Sequence, residues 1–163
     1  MRGSLTVLSN AEIRHATDEN DLGAVRMLWS EYWASADLSM DFQGFGNEIK
    51  NLPGSYAPPR GSLILARVAT FDAGSIGLRP LTENTCEAKH LYVRPEFRGQ
   101  GIGRSLLQYL IQAAQSMGYE AMYGDSLPNM VVAQKLYKAV GFQEVRPYSE
   151  NPTPGAIYLC LKL

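Results

Sequence analysis

The chain has few cysteines, almost no net charge and no long apolar run. Its two cysteines, Cys86 and Cys160, show no CxxC spacing among the 163 residues, and no metal site is read from it. Both fall in strand-like runs, which predicts buried free thiols in a reducing compartment. Fifteen Lys and Arg against sixteen Asp and Glu leave a net charge of −1, so there is no basic field for a nucleic-acid partner. No apolar stretch reaches the ~20 residues that cross a membrane. Met1-Arg2-Gly3-Ser4 is not followed by a long apolar segment with a small-residue cleavage site, so no secretory signal is expected. Internal repeats and low-complexity tracts are missing too. These absences predict a soluble, cytoplasmic, globular protein, with residues 1–163 read as one domain.

What is there concentrates between Leu91 and Gly103. A hydrophobic run ends at Val93 and Pro95 stops it, because proline donates no ladder hydrogen bond. Arg98, Gly99, Gly101 and Gly103 then crowd one tight turn. Ile102, Leu106, Leu107, Leu110, Ala114 and Met117 follow on one face at helical spacing. Strand, glycine turn and helix start make a place for an anion: glycines let a ligand lie against the backbone, and free amides at a helix N-terminus attract phosphate. Two common phosphate loops do not fit. Arg104-Ser105 stands where a P-loop has Lys and then Ser or Thr, and glycines at 99, 101 and 103 miss the Gly-x-Gly-x-x-Gly spacing.

Around this turn the periodicities predict a first strand at residues 12–16 and a helix capped by Thr17 or Asp18. Leu22, Val25, Trp29, Tyr32 and Trp33 form its stripe. The aromatics read as core, or Tyr32 and Trp33 line a substrate pocket. A short helix is expected over 41–50, with Phe42, Phe45 and Ile49 on one side. Strands follow at 62–69, 75–81 and 85–93, with residues 71–74 as the first hairpin turn. After the glycine-turn helix, with Gly118 at its end, come a strand at 119–123, a helix opening near Pro128, and strands at 142–146 and 156–163. Loops rich in proline occupy 53–61 and 147–155. The order β-α-α-β-β-β-α-β-α-β-β predicts a mixed α/β fold whose sheet is largely antiparallel, with one right-handed βαβ crossover.

Arg98-x-x-Gly101-x-Gly103 resembles the acetyl-CoA-binding motif of the GNAT superfamily of N-acetyltransferases. Ala133-x-x-Leu136-Tyr137-x-x-x-Gly141-Phe142 is similar to that family's second conserved block. The resemblance is specific from Thr85 to Phe142 and topological elsewhere. It implies a GNAT fold, acetyl-CoA as co-substrate, and transfer of acetyl to an amine of a small molecule or peptide. It leaves room for a homodimer. Backbone groups of Leu91, Tyr92 and Val93 would pair with the pantetheine arm. Arg98, Gly99, Gln100, Gly101, Ile102, Gly103 and Arg104 would hold the pyrophosphate. Arg94 reads equally well as a solvated surface residue. The family's cofactor-binding Asn falls at Met130 here, so either Asn129 replaces it through a shifted helix start or that contact is missing.

Two residues are expected to be catalytic by the same resemblance. Glu87 matches a branch that places its general base there, since an ammonium has no lone pair to attack a thioester. The alternatives are a surface glutamate or one paired with Lys89. His90 is a second candidate base on the same strand, but simple alternation puts it on the face opposite Glu87 unless a bulge intervenes. Tyr137 would protonate the departing thiolate, or be a core tyrosine. Asp125 could orient the amine or cap a turn. Cys86 has no adjacent His to activate it as an acyl-carrying nucleophile. Transfer of another acyl group or to a hydroxyl, and non-catalytic sensing of acyl-CoA, are the other functions that fit these residues.

Overall fold

The strand Ser62–Val68 (β2) explains how the molecule is layered. Its run Leu63-Ile64-Leu65-Ala66 is buried throughout, and in a strand that is possible only if both faces of the sheet are covered. Leu63 and Leu65 pack on one side with Trp29, Leu28 and Tyr56, while Ile64 and Ala66 join Leu106, Leu107 and Leu110 on the other. A computed structural model describes residues 10–36, 44–148 and 154–163. Its seven-stranded sheet runs β1-β2-β3-β4-β5-β7-β6. The strands are Ala11–His15 (β1), β2, Phe71–Pro80 (β3), Thr85–Val93 (β4), Ala121–Ser126 (β5), Gln143–Val145 (β6) and Ile157–Lys162 (β7). Only β4 and β5 pair in parallel; the other neighbours are antiparallel.

Glu19–Ser35 (α1) and Phe45–Lys50 (α2) cover one face, with Ile102–Ser116 (α3) on the other and Val131–Val140 (α4) following β5. The Asp18 side chain accepts from the Asp21 amide and so caps α1. The expected α3 stripe is the buried one: Ile102, Leu106, Leu107, Leu110 and Ala114. Each of those leucines contributes about 1.5–3 kcal/mol by leaving water. The element order and sheet class follow the sequence reading.

Several boundaries moved, each for a local reason. The first hairpin turns at Ala69 and Thr70, because Val68 pairs with Phe71. Gly74 belongs to β3, where an added Cβ would stand 2.6 Å from the Tyr92 carbonyl oxygen. Its glycine serves close approach of β4, not the turn. The strand expected at 119–123 begins at Ala121, since Tyr119 is held aside by exchanging hydrogen bonds with Arg60: its hydroxyl donates to the Arg60 carbonyl at 2.7 Å and accepts from Nε at 3.2 Å. α4 starts at Val131, past Pro128. Of the short helix expected from Asp41, the part from Phe45 is present; Phe42, residues 1–4 and the loop 149–153 lie outside the described residues. Cys86 is buried as expected, whereas Cys160 is only partly so.

Gly77 gives a test of the packed α1 face. A Cβ there would lie 2.8 Å from Tyr56 Cε1 and 3.0 Å from Trp29 Cη2, and both rings are fully enclosed. Gly77→Ala should therefore cost about 1–3 kcal/mol through overpacking. A urea midpoint equal to wild type would contradict this.

Candidate active site

The site begins with a defect in β4. Lys89 pairs with Gly77 and Tyr92 with Ser75, so β4 carries one residue more than β3 over this interval. A bulge bends its strand. Parallel pairing with β5 stops at Ala88 and Gly124, although β5 continues along β7 to Ser126. The two central strands thus part, leaving the β5-facing edge of Leu91–Val93 unpaired in the sheet. That edge forms one wall of an open cleft of about 520 Å³.

The glycine turn closes the far end of this cleft. Gly99 and Gly101 have φ of +78° and +80°, in the left-handed region that side chains with a Cβ resist. Gly101 caps α3, and the first amide with a helical partner is that of Ser105, bonded to the Gly101 carbonyl. The preceding amides are the orphan donors of a helix start. The cleft is lined by Leu91, Tyr92 and Val93, by Arg98, Gly99, Gly101, Ile102, Gly103 and Arg104, and by Asn129 and Met130. Of the residues expected around a cofactor, Gln100 alone is outside the lining; it is exposed. Arg98 Nε donates to the Val93 carbonyl at 2.8 Å and its guanidinium lies over the Tyr92 ring, so this side chain also ties the turn to β4. Arg94 is not a solvated surface residue. It forms a two-point ion pair with Glu31 and donates to the Asp72 carbonyl.

At the inner end, where β4 and β5 separate, lies a second, small cavity of about 30 Å³. Tyr32 and Met130 line both spaces, and the Tyr32 hydroxyl contacts Met130 Sδ at 3.3 Å. Trp33, Lys89, His90 and Asp125 complete most of the small cavity. Of the α1 aromatics, Trp29 and Trp33 are core, and Tyr32 and Trp33 line the small cavity.

Tyr137 is 5% exposed, its ring edge-on to Phe142 at 5.0 Å. Burial pushes its hydroxyl well above the ordinary range, and Tyr32, Asp125 and Glu87 push it further. The phenol is therefore protonated at any physiological pH. Glu87 is 4% exposed and lines neither cavity. Arg79, not Lys89, is its partner, at 2.8 Å, and the Tyr148 hydroxyl donates to its other oxygen at 2.6 Å. Lys89 instead pairs with Asp125 at 3.1 Å.

The β4 bulge brings His90 to the same side as Glu87. Glu87 pairs with Arg79 of β3, and His90 meets Trp29 and Trp33 of α1 and Phe45 and Glu48 of α2 on that same face, the arrangement that simple alternation excluded. His90 Nε2 is 3.2 Å from Glu48 Oε1, which also accepts from the Tyr56 hydroxyl. Burial works against charge on Glu48, but hydrogen bonds from His90 and Tyr56 and the charge of Arg79 outweigh it and hold the carboxyl below its usual range. Burial, with Lys89 and Arg79 adding, lowers the pKa of His90 against the pull of Glu48. Burial, with Glu87 adding, pushes the Cys86 thiol up to about 12, which makes it an inert sulfhydryl.

The profile of the acetyltransferase (GNAT) domain matches residues 59–144. The chain is 35% identical over 157 residues to an uncharacterized N-acetyltransferase of Schizosaccharomyces pombe, covering 95% of this chain and 96% of that one. The chain belongs to the GNAT acetyltransferase family. Solved structures agree at the level of fold. An acetyltransferase of Streptococcus agalactiae superposes with a TM-score of 0.80 at 18% identity, over 94% of this chain and 98% of that one. The PaiA N-acetyltransferase of Thermoplasma acidophilum, in complex with coenzyme A, does so at 0.73 and 19% identity, over 94% and 99%.

The GNAT motifs gave no sign of the polar cluster around His90. Glu48, Tyr56 and Arg79 lie on α2, a single 3-10 turn (Gly54–Tyr56) and β3, none of which carries a motif. A Glu two residues past a glycine pair gives no signal until folding places it 42 positions away from its partner, against His90. The bulge left no trace in the sequence of β4, where Glu87 and Lys89 stand beside His90. The left-handed backbone of His90 was not foreseeable from it.

Proposed function

We propose that this GNAT protein transfers the acetyl group of acetyl-CoA to a primary amine, of a small molecule or of a peptide, by direct attack. The observation that carries the reading is the line of the cleft: it runs from orphan amides at α3, along an unpaired strand edge, to Tyr32 and Met130, which it shares with the inner cavity, while Tyr137, lining neither space, lies against Gly124, where β4 and β5 part. Leu91, Tyr92 and Val93 offer backbone groups to the pantetheine arm as a neighbouring strand would. The amides around Gly101 and the helix dipole favour the pyrophosphate, with Arg98 and Arg104 supplying positive charge. Asn129, at the cleft wall beside Met130, stands in for the cofactor-binding Asn of the family.

At the inner end, the amine nitrogen forms a bond to the acyl carbon and the carbon–sulfur bond breaks. Tyr137 gives its proton to the sulfur as negative charge builds there. Glu48, Glu87 and Asp125 outnumber Arg79 and Lys89 around the acceptor end, and with His90 neutral this one-charge excess suits an ammonium better than a neutral alcohol. Glu87 corresponds by resemblance to a base. We assign it instead to holding Arg79 and Tyr148 in place, because both its oxygens are engaged, one by each of them.

Acetyl-CoA should raise the melting temperature with the logarithm of its concentration above Kd, adding about 2.7 kcal/mol of stability at a hundred times Kd. Incubation with a panel of primary amines should then release free thiol. Absence of any thermal shift or heat at millimolar acetyl-CoA would end the transferase reading. Binding without thiol release across the panel would favour a sensor.

A further inference from the structure

His90 has φ of +56°, one of two such non-glycine residues among those described. A residue with a Cβ is held in that region only where its surroundings over-determine it, and such residues gather at functional sites. The surroundings are specific here. The rings of Trp29, Phe45 and Trp33 lie 4.6, 5.0 and 5.5 Å from the imidazole, and Glu48 bonds Nε2. A bulge needed only to part β4 from β5 would be met with less strain by glycine. An imidazole at this position, 8% exposed yet on the wall of the inner cavity, has chemistry that a bulge does not require.

We infer that His90 accepts a proton from the acceptor ammonium in the inner cavity, and that Glu48 is the positioning residue that fixes its tautomer. The inference rests on the transferase reading above. With Nε2–H donated to the anionic Glu48, the lone pair is on Nδ1. Burial, Glu48 from α2, Lys89 from β4 and Arg79 from β3 set its affinity for a proton; Tyr32 from α1 and Asp125 from β5 share its cavity, Tyr56 bonds the same Glu48, and Glu87 from β4 is held by Arg79. Burial keeps the imidazole neutral, as a base must be before it acts, while Glu48 lies where it stabilises the imidazolium that forms. Two protons leave the nitrogen over the reaction. One breaks from the ammonium, passes to Nδ1 and is then lost to solvent, which frees the lone pair that attacks the acyl carbon. The other leaves when the new C–N bond has formed and restores the proton that Tyr137 gives to sulfur. The enzyme ends as it began.

One arm of the test needs no acceptor. The chain has two histidines, so nitrogen-15 imidazole spectra of wild type and His90→Gln separate His90 from His15. With coenzyme A bound at pH 7, His90 should be neutral with its proton on Nε2. A doubly protonated ring, or a proton on Nδ1, overturns the assignment. The second arm follows kcat/KM against pH with the best amine of the panel. His90→Gln should lose about a hundredfold near neutrality and converge on wild type as rising pH supplies free amine. His90→Asn, which tolerates left-handed backbone better, should do the same and covers the case in which Gln disturbs folding. An equal loss at every pH marks a structural residue and overturns the proposal. Glu48→Gln should move the acidic limb to lower pH, because removing its negative charge lowers the imidazole pKa. A limb that shifts strongly with Glu87→Gln and not with Glu48→Gln returns the base to Glu87. Calorimetry with coenzyme A on each variant distinguishes these results from failure of the cofactor reading, which would show first as wild-type protein that does not bind.

Discussion

Tyr137→Phe is expected to fold and bind coenzyme A like wild type while turning over ten- to a thousandfold more slowly, a barrier increase of about 1.4–4 kcal/mol. The ring's place is set by Phe142 and by Gly124, where an added Cβ would meet Tyr137 Cε1 at 3.6 Å. Phenylalanine keeps those contacts and removes only the donor. The hydroxyl is far above its ordinary pKa, first through burial and then through Tyr32, Asp125 and Glu87. A general acid must be protonated to act, and its contribution is lost as pH rises through its pKa. With that pKa raised, no alkaline loss from Tyr137 should occur across the neutral to alkaline range. An activated aryl thioester needs less help in leaving, so it should partly rescue the variant. A core tyrosine would behave oppositely, with a lower urea midpoint and ordinary turnover. Wild-type rates for Tyr137→Phe with acetyl-CoA would remove it from the mechanism.

What could be read in advance divides along a physical line. Features set by local chemistry were legible: a glycine turn between strand and helix, a stripe at helical spacing, a cap at Thr17 or Asp18, and the strand following the 53–61 loop. These depend on residues within one turn or one strand of each other. The polar contacts near the inner cavity join distant segments, Glu48 with His90, Glu87 with Arg79 and Tyr148, Lys89 with Asp125, and no local pattern carries them. The reading of Glu87 failed to foresee its partner because alternation places Lys89 nearest, while the register of β3 puts Arg79 directly opposite Glu87. For His90, alternation was the wrong rule. One extra residue in β4 reversed the face on which it lies, and the same residue opened the cleft. A single bulge thus both opens the cleft and turns the imidazole to the wall of the inner cavity.

Gly101→Ala should weaken coenzyme A by roughly a hundredfold, about 2.7 kcal/mol, and Gly118→Ala should not weaken it at all. The pair isolates obstruction from strain. Both glycines sit at φ near the same value, +80° and +88°, and an added Cβ at either meets nothing within 4 Å. Both substitutions should therefore cost about 1–2 kcal/mol of stability through the left-handed backbone alone. They differ in what the open space is for. Gly118 follows α3 at its C-terminal end, away from the cleft. At Gly101 the open space is the cleft itself, beside the orphan amides of the helix start, and a methyl there holds a phosphate away from its donors. Charge-assisted bonds weaken steeply as they lengthen, so a displacement of this kind removes most of the gain from those amides. Gly101→Val should bind more weakly still. Calorimetry for binding, together with urea midpoints for stability, checks both halves. Equal coenzyme A affinity in the Gly101→Ala and Gly118→Ala proteins would mean that the glycine turn is a strand-to-helix connection and that the pyrophosphate lies elsewhere.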